Sequence, residues 1–455
     1  MSHDAVIPVR AIHLDLKGVP PTPARLLELP RIAAALGYNA MLVEWEDTFP
    51  WTVNPAIRNE TAYAREQVDA FHAAAAEHGV QIIPLVQCLG HMEFALKHAE
   101  YAGLREGPKH IEVLNPLADG ARELIASLVR DVIAATPGLT HFHLGGDEAW
   151  ALGTHPDTKA WIDAKGKGDL YMHHVEPILD ELNAAGIRPM LWHDMMIDWD
   201  SESLTRLAGK ADLVLWWYQR DPRETGKEHL NEAIIERFEA HDITLWGGSA
   251  YKGADGPNID LPDYRERELN ALAWYDIARE HKLVGVIATA WSRYCHCRTQ
   301  CEPIDAALDC LVNHGVILNE GQPPAGGRDA CLATLDEIGE RATFDACYEA
   351  TKALSDFRAE AWAVARDVME MMHCHQSDHS RWFGSVSYAE KHAARFVAEC
   401  DVLTARMNEA FDALIPRVWT ERYLAERLDP LRDQAGLMLA QAARMRQMRA
   451  EHSDW

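Results

Sequence analysis

The chain has 455 residues, 48% of them hydrophobic and 25% charged, a balance that suits a folded globular protein and rules out a disordered one. Its 70 Asp plus Glu against 44 Lys plus Arg leave a formal charge of -26, which repels nucleic acid and anionic membranes and favours a neutral substrate. Met1-Ser2-His3-Asp4-Ala5-Val6 carries neither a basic nor an apolar leader region, and no apolar run approaches the roughly 18 residues of a membrane span, so the expected location is cytoplasmic.

Short apolar runs alternate with amphipathic stretches through the first two thirds of the chain. The runs are Ala11 to Leu16, Ala40 to Glu46, Gln81 to Gln87, His141 to Leu144, Pro189 to Met195, Leu213 to Tyr218, Thr244 to Trp246 and Gly285 to Ala290. Most are nearly continuous in Val, Ile, Leu and Trp, as parallel strands buried on both faces should be. Helical patterns lie between them. Thr22 and Pro23 read as an N-cap and an N1 proline, Leu26, Leu29, Ala33 and Leu36 recur at helical spacing, and Pro30 is expected to bend or break that helix. Gly37 closes it, and Gly79, Gly138 and Gly186 stand likewise before later strands, where the turn needs a residue tolerant of positive φ. Leu124 with Leu128 and Val132, Leu170 to Leu182, and Tyr264 to Ile277 supply further helices.

Eight strand-helix repeats without a hairpin signal predict an α/β fold, a (β/α)8 TIM barrel over residues 1–320. An open doubly wound sheet would place G-x-G-x-x-G after its first strand, where this chain has Lys17-Gly18-Val19-Pro20-Pro21. Gly321-Gln322-Pro323-Pro324-Ala325-Gly326-Gly327 marks the boundary, and residues 321–455 show only helix signals. Three seams follow at spacings of three and four: Leu354, Phe357, Ala361, Val364, Val368, Met371; then Phe396, Cys400, Leu403, Met407, Ala410, Leu414; then Leu431, Ala435, Met438, Ala442, Met445. They predict a C-terminal α-helical bundle that packs on the barrel, completes a neighbour's pocket, or forms a homodimer.

The nine cysteines are odd in number and scattered, which fits reduced thiols. Cys295, Cys297 and Cys301 are spaced C-x-C-x3-C, unlike zinc modules built on C-x2-4-C pairs, and are expected to be buried thiols. No metal or cofactor is expected.

The residues that carry chemistry are His141-Phe142-His143-Leu144-Gly145-Gly146-Asp147-Glu148, where a strand runs into two glycines and two adjacent carboxylates. The glycine-rich hairpin of cyclic-dinucleotide synthases would continue with Phe, whereas Ala149 follows here. On a barrel this pair stands at the C-terminal end of the fourth strand, on the catalytic rim. The same rim receives Glu44-Trp45-Glu46-Asp47, Gln87-Cys88-Leu89-Gly90-His91, Trp192-His193-Asp194, Trp216-Trp217-Tyr218 and Trp291-Ser292-Arg293-Tyr294. Tryptophans beside carboxylates suit a sugar, whose C–H faces pack on rings while its hydroxyls seek charged partners. Ordinary retaining glycosidases set their two carboxylates about 5 Å apart across the scissile bond. Adjacent residues diverge from one strand end instead, so one can protonate the leaving oxygen while the other serves another atom of the same sugar. A 2-acetamido group attacking its own anomeric carbon meets that description, the second carboxylate orienting its N–H and stabilising the oxazolinium charge.

His143-Leu144-Gly145-Gly146-Asp147-Glu148 resembles the H-x-G-G-D-E signature of family 20 glycoside hydrolases, the β-N-acetylhexosaminidases. The likeness extends to their hexosaminidase D-like branch through His13-Leu14-Asp15-Leu16-Lys17-Gly18, Glu46-Asp47-Thr48-Phe49-Pro50, Gly90-His91-Met92-Glu93-Phe94 and Tyr251-Lys252-Gly253-Ala254, covering roughly residues 8 to 315. The resemblance implies exo-acting release of terminal β-linked N-acetylgalactosamine or N-acetylglucosamine from a glycoside or oligosaccharide. It implies that Asp147 orients the acetamide and Glu148 is the general acid/base. It also implies that Trp192, Trp216 and Trp291 wall the acetamide pocket, that Tyr218 bonds the acetamide carbonyl, and that His91 supports the pair. An arginine that grips sugar hydroxyls in many members is replaced by Lys17-Gly18, so Lys17 takes that role. A glutamate common after the last pocket tryptophan is Arg293 here, which leaves Glu302 for the outer hydroxyls; the accessory domain that often precedes the barrel is not expected, as the first strand begins near residue 10.

Two other readings compete: a non-catalytic barrel that binds amino sugars, and a metal-dependent hydrolase using Glu44, Glu46, His193 and Asp194.

Overall fold

The computed structural model describes residues 6–375 and 382–451. Eight parallel strands close into a barrel in chain order: β1 (Val9–Asp15), β2 (Ala40–Glu44), β3 (Gln81–Leu85), β4 (His141–His143), β5 (Arg188–Trp192), β6 (Asp212–Trp216), β7 (Leu245–Lys252) and β8 (Gly285–Ala290). All eight expected runs are strands. β7 extends further than its apolar signal, because Gly247, Gly248 and Ser249 carry no hydropathy. Gly247 in particular has no room for a side chain: a β-carbon there would lie 2.6 Å from the Trp274 ring.

A helix follows each strand: α1 (Pro23–Ala35), α2 (Arg65–Glu77), α3 (Ala121–Ala135), α4 (Lys167–Ala184), α5 (Ser201–Leu207), α6 (Glu232–Glu239), α7 (Tyr264–His281) and α8 (Leu308–Glu320). Thr22 caps α1 by accepting from the Arg25 N–H, as its position predicts. Pro30 does not break α1; it is buried with Leu26, Leu29, Ile32 and Ala33, and that burial outweighs the one backbone bond a proline removes. Gly79, Gly138 and Gly186 take φ of 67°, 69° and 74° before β3, β4 and β5.

The barrel interior is filled from below by Ala11, Ala40, Leu42, Ile83, Met190 and Ile287. Toward the upper end the inward positions become His13, Asp15, Glu44 and His143, all essentially inaccessible. A buried charged layer thus lies directly under the rim.

α9 (Arg328–Glu337) adds Cys331 and Leu335 to the core between strands and helices. α10 (Arg341–His375), α11 (Trp382–Phe411) and α12 (Arg417–Glu451) share a second core in which Leu354, Phe396, Cys400, Leu431 and Met438 are buried. That bundle packs on its own barrel. Thr22 donates its hydroxyl to the Ala413 carbonyl at 2.7 Å, Trp419 donates to Thr61 at 2.7 Å, and buried Arg427 bonds Asp260 at 2.5 Å and the Gln300 carbonyl at 2.6 Å. No helix among the described residues is long and apolar enough to cross a membrane.

Candidate active site

β4 is three residues long, and the turn after it is built from glycine. Gly145 and Gly146 have φ of 59° and 83°; a β-carbon on the first would overlap the Gln87 amide and on the second the Tyr171 hydroxyl. Those two side chains hold the turn: Gly146 N–H donates to Gln87 Oε1 at 3.1 Å, and Tyr171 donates to the Gly146 carbonyl at 3.0 Å. Gly90, from the loop after β3, packs so closely on the Asp147 carbonyl oxygen that no side chain fits there. Glu148 is left-handed at φ 48°, a conformation costing roughly 1–3 kcal/mol outside glycine. It is held by its N–H donating to Asp194 Oδ2 at 2.9 Å. The neighbouring side chains therefore diverge: Asp147 points inward at 7% exposure and Glu148 outward at 41%.

His91 bridges them, its Nε2 3.4 Å from Asp147 Oδ2 and 3.3 Å from Glu148 Oε2. Burial opposes charge on this imidazole, but Asp147 and then Glu148 outweigh it and raise His91 well above its ordinary value. In return the hydrogen bond from His91 holds Glu148 below the usual carboxylate range. Asp194 accepts from Trp216 Nε1 at 3.3 Å, and burial followed by the charge of Asp147 pushes it up to about 7. The buried Asp147 Oδ1 has no hydrogen-bond partner among the described residues, and neither has Glu93 Oε2.

These groups open into a cavity of about 650 Å³ lined by His91, Asp147, Glu148, Trp216, Tyr218 and Trp291 among others. Tyr218 stacks on Trp216, ring centroids 5.3 Å apart, and leans on Trp291 at 6.2 Å. Six of the nine residues singled out from sequence are thereby brought together. Three stand behind the wall. Trp192 is 1% exposed, packed between His143 and Trp291 at 4.4 and 6.2 Å. Lys17, also 1% exposed, directs its ammonium to Asp15 at 3.1 Å and Glu44 at 3.0 Å, 5.0 Å from the Trp291 ring centre; a lone carboxylate layer under the rim would not tolerate its removal to the cavity. Glu302 is 1% exposed and accepts the Gly253 N–H at 2.6 Å, fixing the turn after β7.

Other lining residues went unassigned: Glu93, Glu112, Trp150, Gln219, Pro257, Tyr294, Cys295 and Arg298. Tyr294 belongs to a rim segment and Glu93 to a motif of the resemblance, Trp150 stands two residues past the acid and Gln219 one past the rim segment of β6; Glu112 sits in a loop with no signal. Cys301 is buried as expected, but on the loop after β8 Cys295 is half-buried against the cavity and Cys297 is exposed.

A model of the glycosyl hydrolase family 20 catalytic domain matches residues 45–303, the span that holds the carboxylate turn and every cavity residue named above. The chain belongs to glycosyl hydrolase family 20. This family 20 chain is 33% identical to Hexosaminidase D of Bos taurus over 314 residues, 67% of its own length and 90% of that protein. It is 32% identical to Hexosaminidase D of Homo sapiens over 324 residues, covering 68% of itself and 65% of that protein. Two solved structures share its fold: a Flavobacterium johnsoniae chitobiase, with TM-score 0.57 and 14% identity over 97% of this chain and 73% of that one, and a β-N-acetylhexosaminidase from Bacteroides fragilis, with TM-score 0.55 and 14% identity over 74% and 72%. Membership makes the protein a glycoside hydrolase of the β-N-acetylhexosaminidase kind and removes the non-catalytic reading.

The residues of the metal-hydrolase reading are engaged separately in the family 20 barrel. Glu44 pairs with Lys17 and His13, and Glu46 with His296 at 2.6 Å. His193 donates Nε2–H to the His229 carbonyl at 2.9 Å while burial lowers it to about 4, and Asp194 faces Glu148 and Trp216. Among the described residues no group of three or more His, Cys, Asp or Glu is placed to hold a metal ion.

Proposed function

We propose that the protein is an exo-acting β-N-acetylhexosaminidase that retains anomeric configuration through its substrate's own acetamide. The observation that carries this reading is the pair itself: a buried Asp147 with an unpartnered Oδ1 beside tryptophan walls, and next to it an outward Glu148. An inward carboxylate oxygen without a donor is costly unless a ligand supplies one, and an acetamide N–H is a donor of the right size to sit against Trp216 and Trp291.

In this mechanism Asp147 accepts the acetamide N–H and turns the carbonyl oxygen onto the anomeric carbon. Tyr218, on the wall between Trp216 and Trp291, donates to that oxygen. Glu148 protonates the leaving oxygen and afterwards, as base, activates the water that opens the oxazolinium ring. His91 keeps Glu148 ionised before substrate enters. Filling the cavity strips water from Glu148, favours its neutral form, and draws the proton across the 3.3 Å to it. The Asp147 carboxylate balances the cation.

Turnover of 4-nitrophenyl N-acetylhexosaminides, followed by NMR, tests the reading: the first product formed should be the β-anomer. A thiazoline that mimics the oxazoline should inhibit competitively. Release of the α-anomer first, or indifference to the thiazoline, refutes it.

A further inference from the structure

Trp150 is 60% exposed, more than any other large hydrophobic side chain among the described residues, while Trp45, Trp51, Trp246, Trp274 and Trp419 are fully buried. It lines the catalytic cavity, two residues beyond Glu148, and its N–H donates to the Glu148 carbonyl at 2.7 Å. The segment that displays it is firmly held. Ala149, Ala151 and Leu152 on either side are buried, and inaccessible Glu106 accepts from Gly153 N–H at 2.8 Å, His155 N–H at 3.1 Å and the Thr158 hydroxyl. Another tryptophan near the surface, Trp161, is covered by His173 at 4.7 Å and by the Lys165 ammonium at 4.1 Å. Trp150 has no aromatic or cationic cover among the described residues. A fixed turn thus holds an open indole face at the mouth of the pocket, where burying the ring would have been the favoured arrangement.

Position gives that face a use. Glu148 points outward, so a leaving group that receives its proton departs toward the mouth, past the residue that follows the acid by two. Gln219, Tyr294 and Arg298 line the same cavity and offer hydrogen-bonding groups, and Glu93, Glu112, Asp147 and Glu148 make its lining acidic. An indole face in a cavity that also offers hydrogen-bonding groups matches a pyranose ring, and the acidic lining disfavours an anionic one.

We propose that Trp150 is the platform on which the leaving-group sugar stacks, so that the enzyme favours neutral leaving groups that begin with a pyranose ring. This rests on the hexosaminidase reading, which places the scissile oxygen at Glu148. The test compares β-linked disaccharides bearing N-acetylglucosamine or N-acetylgalactosamine at the non-reducing end with glycosyl fluorides of the same two sugars, whose leaving group has no ring. In W150A the ratio of kcat/KM for disaccharide to that for fluoride should fall about tenfold, chiefly through KM. W150F should restore most of the ratio. A ratio in W150A within twofold of the parent overturns the proposal, since Trp150 would then act on Glu148 or on nothing. Hydrolysis of neither substrate class by the parent protein overturns the hexosaminidase reading as well.

Discussion

Asp147→Asn keeps the shape of the side chain and removes its charge, so it isolates what that charge does. Asp147 is 7% exposed with Oδ2 3.4 Å from His91 Nε2, a dry position in which electrostatics are weakly screened. A carboxylate about 5 Å from the forming oxazolinium, at an effective dielectric of about 20, stabilises it by about 3 kcal/mol. The amide also presents an N–H on one side, where a hydrogen bond to the acetamide is weakened or lost at about 1 kcal/mol. Together these predict a fall in kcat of roughly 10²- to 10³-fold. The assay is kcat across aryl N-acetylhexosaminides of graded leaving-group acidity. Asp147 acts on the nucleophile, so the loss should be similar along the series. His91 loses the neighbour that does most to hold its charge, so its titration should also move down in the variant, which NMR of the imidazole can follow. A variant within threefold of the parent kcat would refute the reasoning, and so would a loss that grows steeply as the leaving group becomes poorer.

The latter pattern is expected of Glu148→Gln, whose deficit should be small for the most acidic phenols and exceed about 10²-fold for the least acidic; equal losses throughout would contradict the general-acid role. Asp194, raised to about 7, keeps its proton in the folded state over a range where the unfolded chain has lost it, so its contribution to stability falls as pH rises from about 4 to about 7 and is level above. Relative to Asp194→Asn, the parent should therefore lose on the order of 2 kcal/mol between pH 5 and pH 8 in urea unfolding; parallel pH dependences would disprove it. Gly146→Ala should destabilise by roughly 1–3 kcal/mol through its φ and the overlap with Tyr171. Adding Tyr171→Phe should recover part of that loss in thermal unfolding, and an additive double variant would show that the hydroxyl is not the obstacle.

Much of this was legible along the chain. The eight strands and their glycine-ended helices could be read because parallel strands buried on both faces must be apolar and the turns between need positive φ. Pro30 misled, since its local cost is fixed by the chain while the burial that compensates it is not. β7 was half visible, because the glycines that admit Trp274 look like a loop until the ring that fills their space is known. In the site, Asp147, Glu148 and the outer tryptophans followed from strand ends. Trp192 shows the limit of that inference, and Lys17 and Glu302, assigned from the resemblance, share it: neither a place at a strand end nor a likeness in sequence says whether a residue lines the cavity or supports its wall.

Sequence alone determined the barrel, the carboxylate turn and the family, because each rests on residues close together in the chain or on hydropathy repeated along it. Only the tertiary structure decided that His91 joins Asp147 to Glu148, that Asp194 holds the Glu148 backbone, and that α12 braces the loops after β7 and β8. Those contacts cross tens to hundreds of residues. The pattern of one segment carries no trace of which distant segment it will meet, so the charge state of the pair and the exposure of Trp150 emerge only once the barrel has closed.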